Sequence, residues 1–315
     1  MKKTKNKKRN KFKNTTLAPI ALFVYNRIDH LKKTIKSLKQ NKLSIKSDLI
    51  IFSDYAKNSD DIKNVLKVRK YIKKLRGFKK IEIYERNKNF GLSKNIISGV
   101  SMTLKKYNKI IVIEDDLILD KFFLNFMNDG LNLFKNHKKI ASIHGYIYPA
   151  NFNSQISDYF FLKGADCWGW ATWKRSWNIF EKNGNKLKNF IDNKNLKKEF
   201  NFNSSYDYYK MLVEQIKGKN DSWAIRWYAS AFINQMYTLY PKKTFVKNIG
   251  TDGSGTHGIG NRKVNKKSIN RKEYVTINID NKKISEDLQA KKKVEEYFRK
   301  NSLSLFQKII KRFLI

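Results

Sequence analysis

The run "KIIVIEDD" ends in three adjacent acidic residues, Glu114, Asp115 and Asp116, which follow an apolar segment. Neighbouring carboxylates repel one another and raise each other's pKa, so such a cluster favours a bound cation. Mg²⁺ and Mn²⁺ prefer carboxylate oxygen and keep coordination positions open for phosphate oxygens and water. The alternative interpretation is an acidic loop that caps a helix and faces solvent, and the triplet alone does not separate the two.

A second candidate is the stretch "NKNFGLSKN", which lies between a predicted strand and a predicted helix. Gly91 allows a tight turn there, and Ser93, Lys94 and Asn95 fall in the first turn of the helix. Free backbone amides and the helix dipole favour a phosphate group at such a position. The stretch therefore indicates a phosphate contact, although a single glycine turn is weakly specific.

Four tryptophans lie close together in "GADCWGWATWKRSW", namely Trp168, Trp170, Trp173 and Trp177. Indole rings stack on the apolar C–H faces of sugar rings, so this cluster suits a carbohydrate site. Tryptophan is also mostly buried in proteins, so packing in the core is the alternative.

Two further stretches carry polar residues that suit a reaction site. Asp221, in "KNDSWAIRWYA", is either the N-cap of a predicted helix or a general base for a hydroxyl nucleophile. The glycine-rich stretch "IGTDGSGTHG" carries Asp252 and His257 and suits a loop that orders over a ligand. His257 is either a metal or phosphate contact or a surface histidine without a role.

The apolar pattern around these residues alternates between strand and helix from residue 20 onward. Strands are predicted in "IALFVYN", "DLIIFSD", "KIEIYERN" and "KIIVIEDD", with helices between them in "HLKKTIKSLKQN", "DIKNVLKVRKYIKKL" and "SKNIISGVSMTLKKY". The second helix is expected to turn Ile62, Val65, Ile72 and Leu75 inward. This order predicts an α/β fold with a mostly parallel sheet covered on both faces.

The predicted sheet places the candidate residues at one edge. In open parallel sheets, ligands bind beyond the carboxyl ends of the strands. Arg27, Asp54 and the acidic triplet all follow such ends, so we expect them to meet in one crevice.

Composition restricts the remaining classes of protein. Lysine and arginine number 67 against 27 acidic residues, a formal net charge of +40, which would attract nucleic acid or an anionic membrane. Lysine, asparagine and isoleucine are overused in every segment, however, so biased codon usage and a solvated surface explain much of this charge. Cys167 is the only cysteine, which excludes an intramolecular disulfide framework or a cysteine-based zinc cluster and fits a reducing compartment.

From about residue 17 to 258 the sequence resembles GT-A glycosyltransferases of the N-acetylglucosaminyltransferase I type and bacterial sugar transferases similar to them. The matching pieces, in chain order, are "YNR", "FSDYAK", "NFGLSKN", "IEDD" with "DKFF", "GADCWGW", "NDSW" and "GTHG". Their order and spacing together carry the resemblance. It implies a GT-A fold, with a Rossmann-like nucleotide-binding half, a mixed and mostly parallel sheet, and an aromatic-rich acceptor lobe.

The resemblance also implies roles for individual residues. Asp116 would bind the metal ion, while Glu114 and Asp115 would contact the donor sugar and ribose. Asp221 would be the catalytic base. In the animal enzymes the base lies in a double aspartate between tryptophans, whereas this chain has Asp-Ser-Trp at that place. Asp166 and Asp252 are therefore alternative candidates for the catalytic base. The other implied contacts are with the nucleotide sugar, for Arg27, Asp54, Lys94, Asn95 and His257. Trp168 and Trp170 are predicted to contact the acceptor because indole rings stack on sugars, whereas the identity of the acceptor does not follow from the resemblance.

These inferences predict a metal-dependent, inverting glycosyltransferase that requires Mn²⁺ or Mg²⁺. The expected donor is a nucleotide diphosphate sugar, typically a UDP-sugar, and the expected acceptor is a hydroxyl of a bacterial surface glycan or a lipid-linked glycan. The alternative is a basic nucleic-acid-binding protein or a non-catalytic nucleotide-binding protein. Nucleic acid is the less favoured partner, because acids at the sheet edge would repel its phosphates.

The predicted organisation is a basic disordered tail at 1–16, a glycosyltransferase domain at 17–260, and a polar linker with C-terminal helices at 261–315. Residues 17–125 would form the nucleotide-sugar half and residues 126–260 the acceptor half. The terminal "SLFQKIIKRFLI" has an amphipathic pattern that suits either an anionic membrane surface or packing against protein. No stretch approaches the length of a membrane-spanning helix, so we expect a cytoplasmic protein, either free or peripheral on the inner face of the cytoplasmic membrane.

Overall fold

The computed structural model describes residues 16–250, 252, 269, 271–278 and 284–301. The predicted tail before residue 16, His257 and the amphipathic segment after Asn301 lie outside this part. Among the helices it does describe, none is both long enough and apolar enough to cross a bilayer.

Strands and helices alternate along the first half of the chain, as predicted. The strands are β1 (Ile20–Val24), β2 (Asp48–Ser53), β3 (Lys80–Glu85), β4 (Lys109–Glu114), β5 (Leu117–Leu119), β6 (Ile140–His144), β7 (Tyr159–Lys163), β8 (Trp170–Trp173), β9 (Tyr237–Pro241) and β10 (Val246–Asn248). The helices are α1 (Ile28–Lys39), α2 (Ser59–Ile72), α3 (Gly91–Lys106), α4 (Phe123–Leu133), α5 (Lys174–Trp177), α6 (Gly184–Asn193), α7 (Lys197–Phe200), α8 (Tyr208–Ile216), α9 (Trp223–Ile233) and α10 (Leu288–Asn301). A 3₁₀ turn at Ser44–Lys46 follows α1.

Eight strands form one mixed sheet in the order β3-β2-β1-β4-β8-β6-β9-β7. The pairs among β1 to β4 are parallel, as is β6 with β9, whereas β8 runs antiparallel to both β4 and β6. β7 is antiparallel to β9 at the other edge. The predicted α/β fold with a mixed, mostly parallel sheet is confirmed.

Helices cover both faces of this sheet, because alternate residues of each central strand point to opposite sides. In β1, Ile20 and Leu22 contribute to the core beneath α1, α2 and α4, whereas Phe23 contributes to the core beneath α3 and α9. A third apolar cluster joins α6, α8, α9 and α10. The sheet is thus buried throughout its centre.

The inward face of α2 differs from the prediction at one position. Val65, Ile72 and Leu75 are buried as expected, but Ile62 is 41% exposed. The buried stripe of the helix begins with Val65 and continues through Val68, and Ile62 in the first turn faces solvent.

A two-stranded ribbon lies beside the acidic triplet. β5 follows the triplet directly and pairs antiparallel with β10, with Leu119 opposite Val246. This pairing brings the chain after β10 back to the carboxyl edge of the main sheet.

Candidate active site

Three strand ends meet at the centre of the sheet because β1 lies between β2 and β4. The backbone N–H of Asp54, after β2, donates to the carbonyl of Val24 at 3.0 Å. The backbone N–H of Tyr25, after β1, donates to Oδ2 of Asp115 at 3.3 Å. The residues predicted to share a crevice are therefore neighbours in the structure.

Arg27 forms ion pairs with two acids of the triplet. Its Nη2 lies 2.5 Å from Oδ1 of Asp115 and 2.9 Å from Oδ2 of Asp116. Its Nη1 is buried and has no hydrogen-bond partner in the described part of the chain. The Arg27 guanidinium thus pairs with two of the three carboxylates of the triplet.

The electrostatics of the triplet reflect burial and mutual repulsion. Burial, reinforced by Asp116 and Asp115, raises the pKa of Glu114 to about 8. Burial also raises the pKa of Asp115 to about 6, although Arg27 opposes this shift. The triplet is therefore a site where additional positive charge would stabilise the ionised carboxylates.

The chain after β10 covers the Arg27–Asp116 pair. The backbone N–H of Ile249 donates to the carbonyl of Asp116 at 2.9 Å. A β-carbon at Gly250 would overlap the Asp116 carboxylate and lie 2.9 Å from Nη1 of Arg27. A side chain at this position would require the Asp116 carboxylate to move, and with glycine the backbone packs directly against the acidic group.

On the donor side, Asp54 links the end of β2 to the start of α3. Its Oδ1 accepts the N–H groups of Tyr55 at 2.9 Å and of Phe90 at 2.8 Å. Burial raises the pKa of Asp54, and these backbone donors oppose the shift. Gly91 begins α3 with a φ of +70°, and Lys94 is exposed with Nζ 4.8 Å from the centre of the Phe90 ring.

The Asn95 side chain is buried, and its Oδ1 accepts a hydrogen bond from Nε of Arg86 at 3.1 Å. Its predicted contact with the donor stays a prediction. Arg86, which the sequence reasoning did not single out, lies over the Phe90 ring at 4.6 Å. Arg86 directly follows β3, so the rule that drew attention to Arg27 and Asp54 could also have found it.

Asp221 lies beside the start of α3 and is not the N-cap of α9. Ser222 takes the cap position, and its hydroxyl accepts the N–H of Ile225 at 3.2 Å. The Asp221 side chain is 68% exposed, with Oδ1 3.9 Å from Nη2 of Arg226. Its Oδ2 is 3.9 Å from the position that a β-carbon would take at Gly91.

Arg226 connects the helix that follows Asp221 to α3. Its Nη2 donates to the Ser93 hydroxyl at 2.6 Å, so α9 and the first turn of α3 hold each other in place. No sequence pattern indicated this contact, because the two residues are far apart in the chain.

On the acceptor side, β8 pairs antiparallel with β4, with Trp170 opposite Val112. Continuing this register places residues 166–168 beside the acidic triplet. Trp168 is half-buried there, with its ring 4.7 Å from Tyr146.

The Trp170 side chain, predicted to contact the acceptor, is completely buried. Its ring centre lies 5.4 Å from that of Trp223 and 5.8 Å from that of Trp177, inside the core under α3 and α9. The structure therefore shows Trp170 in core packing, the alternative that the sequence left open, and its acceptor contact stays a prediction.

Of the alternatives to Asp221, Asp166 is held firmly beside the triplet. Its Oδ2 accepts the Tyr148 hydroxyl at 2.9 Å and its Oδ1 accepts the Cys167 N–H at 2.8 Å. The Tyr148 hydroxyl also lies 2.9 Å from that of Tyr208. Asp252, the other alternative, pairs with His30 at 3.0 Å.

The residues around Asp116 fit a metal ion that is held largely by its substrate. In the part of the chain described, no three side chains of histidine, cysteine, aspartate or glutamate are grouped around a common ion position. Mg²⁺ is commonly bound by one or two carboxylates together with substrate phosphates and water. Asp116, at the carboxyl edge and among excess negative charge, has the chemistry for that arrangement.

Polar and charged residues gather at the carboxyl edge of a covered α/β sheet. This is the place where proteins with open α/β sheets bind their ligands. Residues 20–206 match the family described as Glycosyl transferase family 2. The chain belongs to this family, which confirms the predicted resemblance to glycosyltransferases. No curated protein matches the sequence.

Solved structures to which the chain is similar include glycosyltransferases at low identity. A structure of S. aureus TarS 1-349 is 10% identical with a TM-score of 0.39, and the match covers 74% of this chain and 61% of that one. TarS 1-349 in complex with UDP-GlcNAc is 12% identical with a TM-score of 0.36, covering 72% and 57%. The mannosyltransferase PcManGT from Pyrobaculum calidifontis, in complex with GDP-Man and Mn2+, is 10% identical with a TM-score of 0.30, covering 43% and 37%. The chain thus spans less than two thirds of each of these proteins.

Proposed function

We propose that this glycosyltransferase moves a sugar from a UDP-sugar to a hydroxyl of a bacterial surface glycan or lipid-linked acceptor, with inversion at the anomeric carbon. The observation that carries the proposal is the acidic triplet, which faces a single arginine at the carboxyl edge of the sheet. A divalent ion would offset the negative charge of this group, and its open coordination positions would bind the diphosphate of a nucleotide sugar.

The donor is bound by residues of the three strand ends and of α3. Asp116 would hold Mn²⁺ or Mg²⁺, and the ion would supply positive charge that stabilises the nucleoside diphosphate leaving group. Glu114 and Asp115 accept hydrogen bonds from hydroxyls of the donor sugar and ribose. Arg27 and Asp54 hold the base and ribose.

Two further residues complete the proposed donor contacts. Lys94, exposed in the first turn of α3, lies where the helix terminus favours the diphosphate. His257 is proposed as a contact of the nucleotide sugar on the resemblance alone, because it lies outside the described residues.

Asp221 is the proposed general base. It accepts the proton of the acceptor hydroxyl as that oxygen bonds to the anomeric carbon, on the face opposite the leaving nucleotide. General base catalysis of this kind is worth about 10²–10⁴-fold in rate. Its exposure and its freedom from a helix cap support this role, and Asp166 is the alternative. Trp168 is the proposed stacking surface for the acceptor.

The first test measures hydrolysis of a panel of nucleotide sugars in the presence of Mn²⁺. We expect turnover of one UDP-sugar by the wild type and loss of that turnover in Asp116→Ala. The matched control is Asp29→Ala, whose carboxylate lies on the exposed side of α1 and should leave turnover unchanged.

Calorimetry with UDP separates the possible failures. If no donor is hydrolysed and UDP binds no better with Mn²⁺ than without it, the proposed function is wrong. If UDP binding requires Mn²⁺ and Asp116 but no donor turns over, the nucleotide site is correct and the chain is a non-catalytic nucleotide-binding protein.

The proposed location is the cytoplasm, at the inner face of the cytoplasmic membrane, where a lipid-linked acceptor would be available. The amphipathic pattern after Asn301 supports this location at the level of sequence.

A further inference from the structure

Two helices lie next to each other on one face of the main sheet. α1 and α2 contact each other and bury their inner stripes in the same apolar core. Their outer sides, together with the 3₁₀ turn after α1, form a continuous surface that we call the α1–α2 face. This face carries the exposed lysines Lys32, Lys33, Lys36, Lys39, Lys46, Lys63, Lys67 and Lys70.

Few acids compensate the lysines of the α1–α2 face. Among those lysines, the described residues contain one ion pair, between Lys32 and Asp29 at 3.8 Å. Ion pairs occur elsewhere on the surface, as between Lys188 and Asp192 at 2.6 Å and between Lys210 and Glu214 at 3.9 Å. Seven of the eight lysines named on the α1–α2 face have no ion pair within the described residues, so the face carries a concentrated positive charge.

Apolar side chains are exposed between these lysines. Ile62 and Leu66 are 41% and 56% exposed, and they lie one helical turn apart on α2, next to Lys63 and Lys67. Ile45 in the 3₁₀ turn is also exposed. Aliphatic side chains flanked by lysines are the combination that binds at the boundary between lipid head groups and acyl chains.

We propose that the α1–α2 face binds the surface of an anionic lipid bilayer. Its lysines would lie near the lipid phosphates, while Ile62 and Leu66 would enter the interfacial layer. A second copy of the chain is a poor partner because two such faces repel each other. Nucleic acid is also disfavoured, since the exposed residues of α1 and α2 include no aromatic side chain on which a base could stack.

The α1–α2 face lies next to the proposed reaction site. α1 begins directly after Arg27, so the face adjoins the crevice at the carboxyl edge. A bilayer bound there would hold lipid-linked acceptors near the crevice. This consequence rests on the proposed function, whereas the binding itself does not.

The test is co-sedimentation of the full-length chain with vesicles of phosphatidylglycerol and phosphatidylcholine in equal amounts, compared with pure phosphatidylcholine. We expect binding to the anionic vesicles only. The triple variant Lys63→Glu, Lys67→Glu, Lys70→Glu should bind about 100-fold more weakly, since each lysine near an anionic surface contributes about fivefold in affinity and the three factors multiply.

The matched control is Lys182→Glu, Lys194→Glu, Lys217→Glu, which makes the same change in net charge at exposed positions around α6 and α8. It should weaken binding by well under tenfold. Ile62→Ser with Leu66→Ser should also weaken binding, most visibly at high salt, where the contribution of charge is screened. Circular dichroism establishes that each variant is folded.

Several results would overturn the proposal. These are equal binding to neutral vesicles, no binding to anionic ones, or equal losses in the two triple variants. The proposal is also overturned if the triple glutamate variant of α2 loses binding to a DNA duplex but keeps its binding to anionic vesicles. The α1–α2 face would then be a surface that binds nucleic acid. None of these results depends on turnover, so the proposal and the proposed glycosyl transfer can fail separately.

Discussion

At the scale of single residues, Asp61 fixes the turn that carries Arg27. Its Oδ2 accepts the Tyr25 hydroxyl at 2.7 Å, and its Oδ1 accepts the side-chain amide of Asn26 at 2.6 Å. Burial and this hydrogen bond raise the pKa of Tyr25 to about 12, so the phenol remains a donor near neutral pH. Asp61 lies at the start of α2, and it therefore ties that helix to the end of β1.

Replacing Asp61 with alanine should weaken UDP binding in the presence of Mn²⁺ by about tenfold, because two hydrogen bonds to a charged group that hold the Arg27 turn are lost. Isothermal calorimetry measures this change. Asp60→Ala is the control, since Asp60 is exposed and its only hydrogen bond seen in the described residues is a long one from Ser59. Equal affinity in the two variants would show that the turn does not need Asp61.

His144 should make stability depend on pH. Burial lowers the pKa of His144 below its ordinary value of 6.5. As the pH falls below about 6.5, the unfolded chain binds a proton at this residue and the native chain does not, so the free energy of unfolding falls. The loss approaches about 1.4 kcal/mol for each pH unit until the native pKa is reached.

This dependence can be measured by comparing His144→Gln with the wild type in urea between about pH 7.5 and about pH 5.5. In the wild type, Nε2 of His144 accepts a hydrogen bond from the backbone N–H of Trp168 at 3.0 Å. Glutamine does not titrate, and its side-chain oxygen can still accept this hydrogen bond. The wild type should lose stability relative to the variant as the pH falls. A constant difference between them would contradict the prediction.

At the scale of elements, the turn between β7 and β8 depends on a glycine. Gly164 has a φ of +94°, and a β-carbon there would collide with the ring of Tyr228. Gly218, after α8, has a φ of +70° but nothing within 4 Å of a β-carbon. A substitution at Gly218 therefore tests backbone strain alone, whereas one at Gly164 tests backbone strain and steric overlap together.

Gly218→Ala should lower the free energy of unfolding by about 1–2 kcal/mol, the cost of a left-handed conformation. Gly164→Ala should lose that amount and about 1–3 kcal/mol more from overpacking. Urea unfolding of both variants provides the comparison. Equal losses would mean that the Tyr228 ring moves aside without cost.

The elements of the first half could be predicted because each has a local signal. The apolar runs of β1 to β4 and the periodic stripes of α1 to α3 are visible in short windows of sequence. The insertion of β8 beside β4 could not be predicted, because it pairs Trp170 with Val112 across a long stretch of chain. The same limit applies to the candidate site. Strand ends indicated Arg27 and Asp116, whereas the contact between Arg226 and Ser93 depends on tertiary packing.

At the scale of the whole molecule, the net charge of +40 should make stability depend on salt. Like charges on the folded surface repel one another, and added salt screens that repulsion. We expect Tm to rise by several degrees as sodium chloride is increased from low to physiological ionic strength, measured by calorimetry. The rise should be smaller in the α2 triple glutamate variant, and a fall in Tm with salt would contradict the prediction.

The main sheet does not stop at the border between the predicted nucleotide-sugar and acceptor halves. β4, from the first half, shares backbone hydrogen bonds with β8, from the second, and the order of strands continues across this pair. A recombination event that joined the first half of one family member to the second half of another would therefore cut through a sheet and not through a linker. The fused halves would have to match in strand register and in core side chains, so we expect new acceptor specificities in this lineage to arise by change within loops.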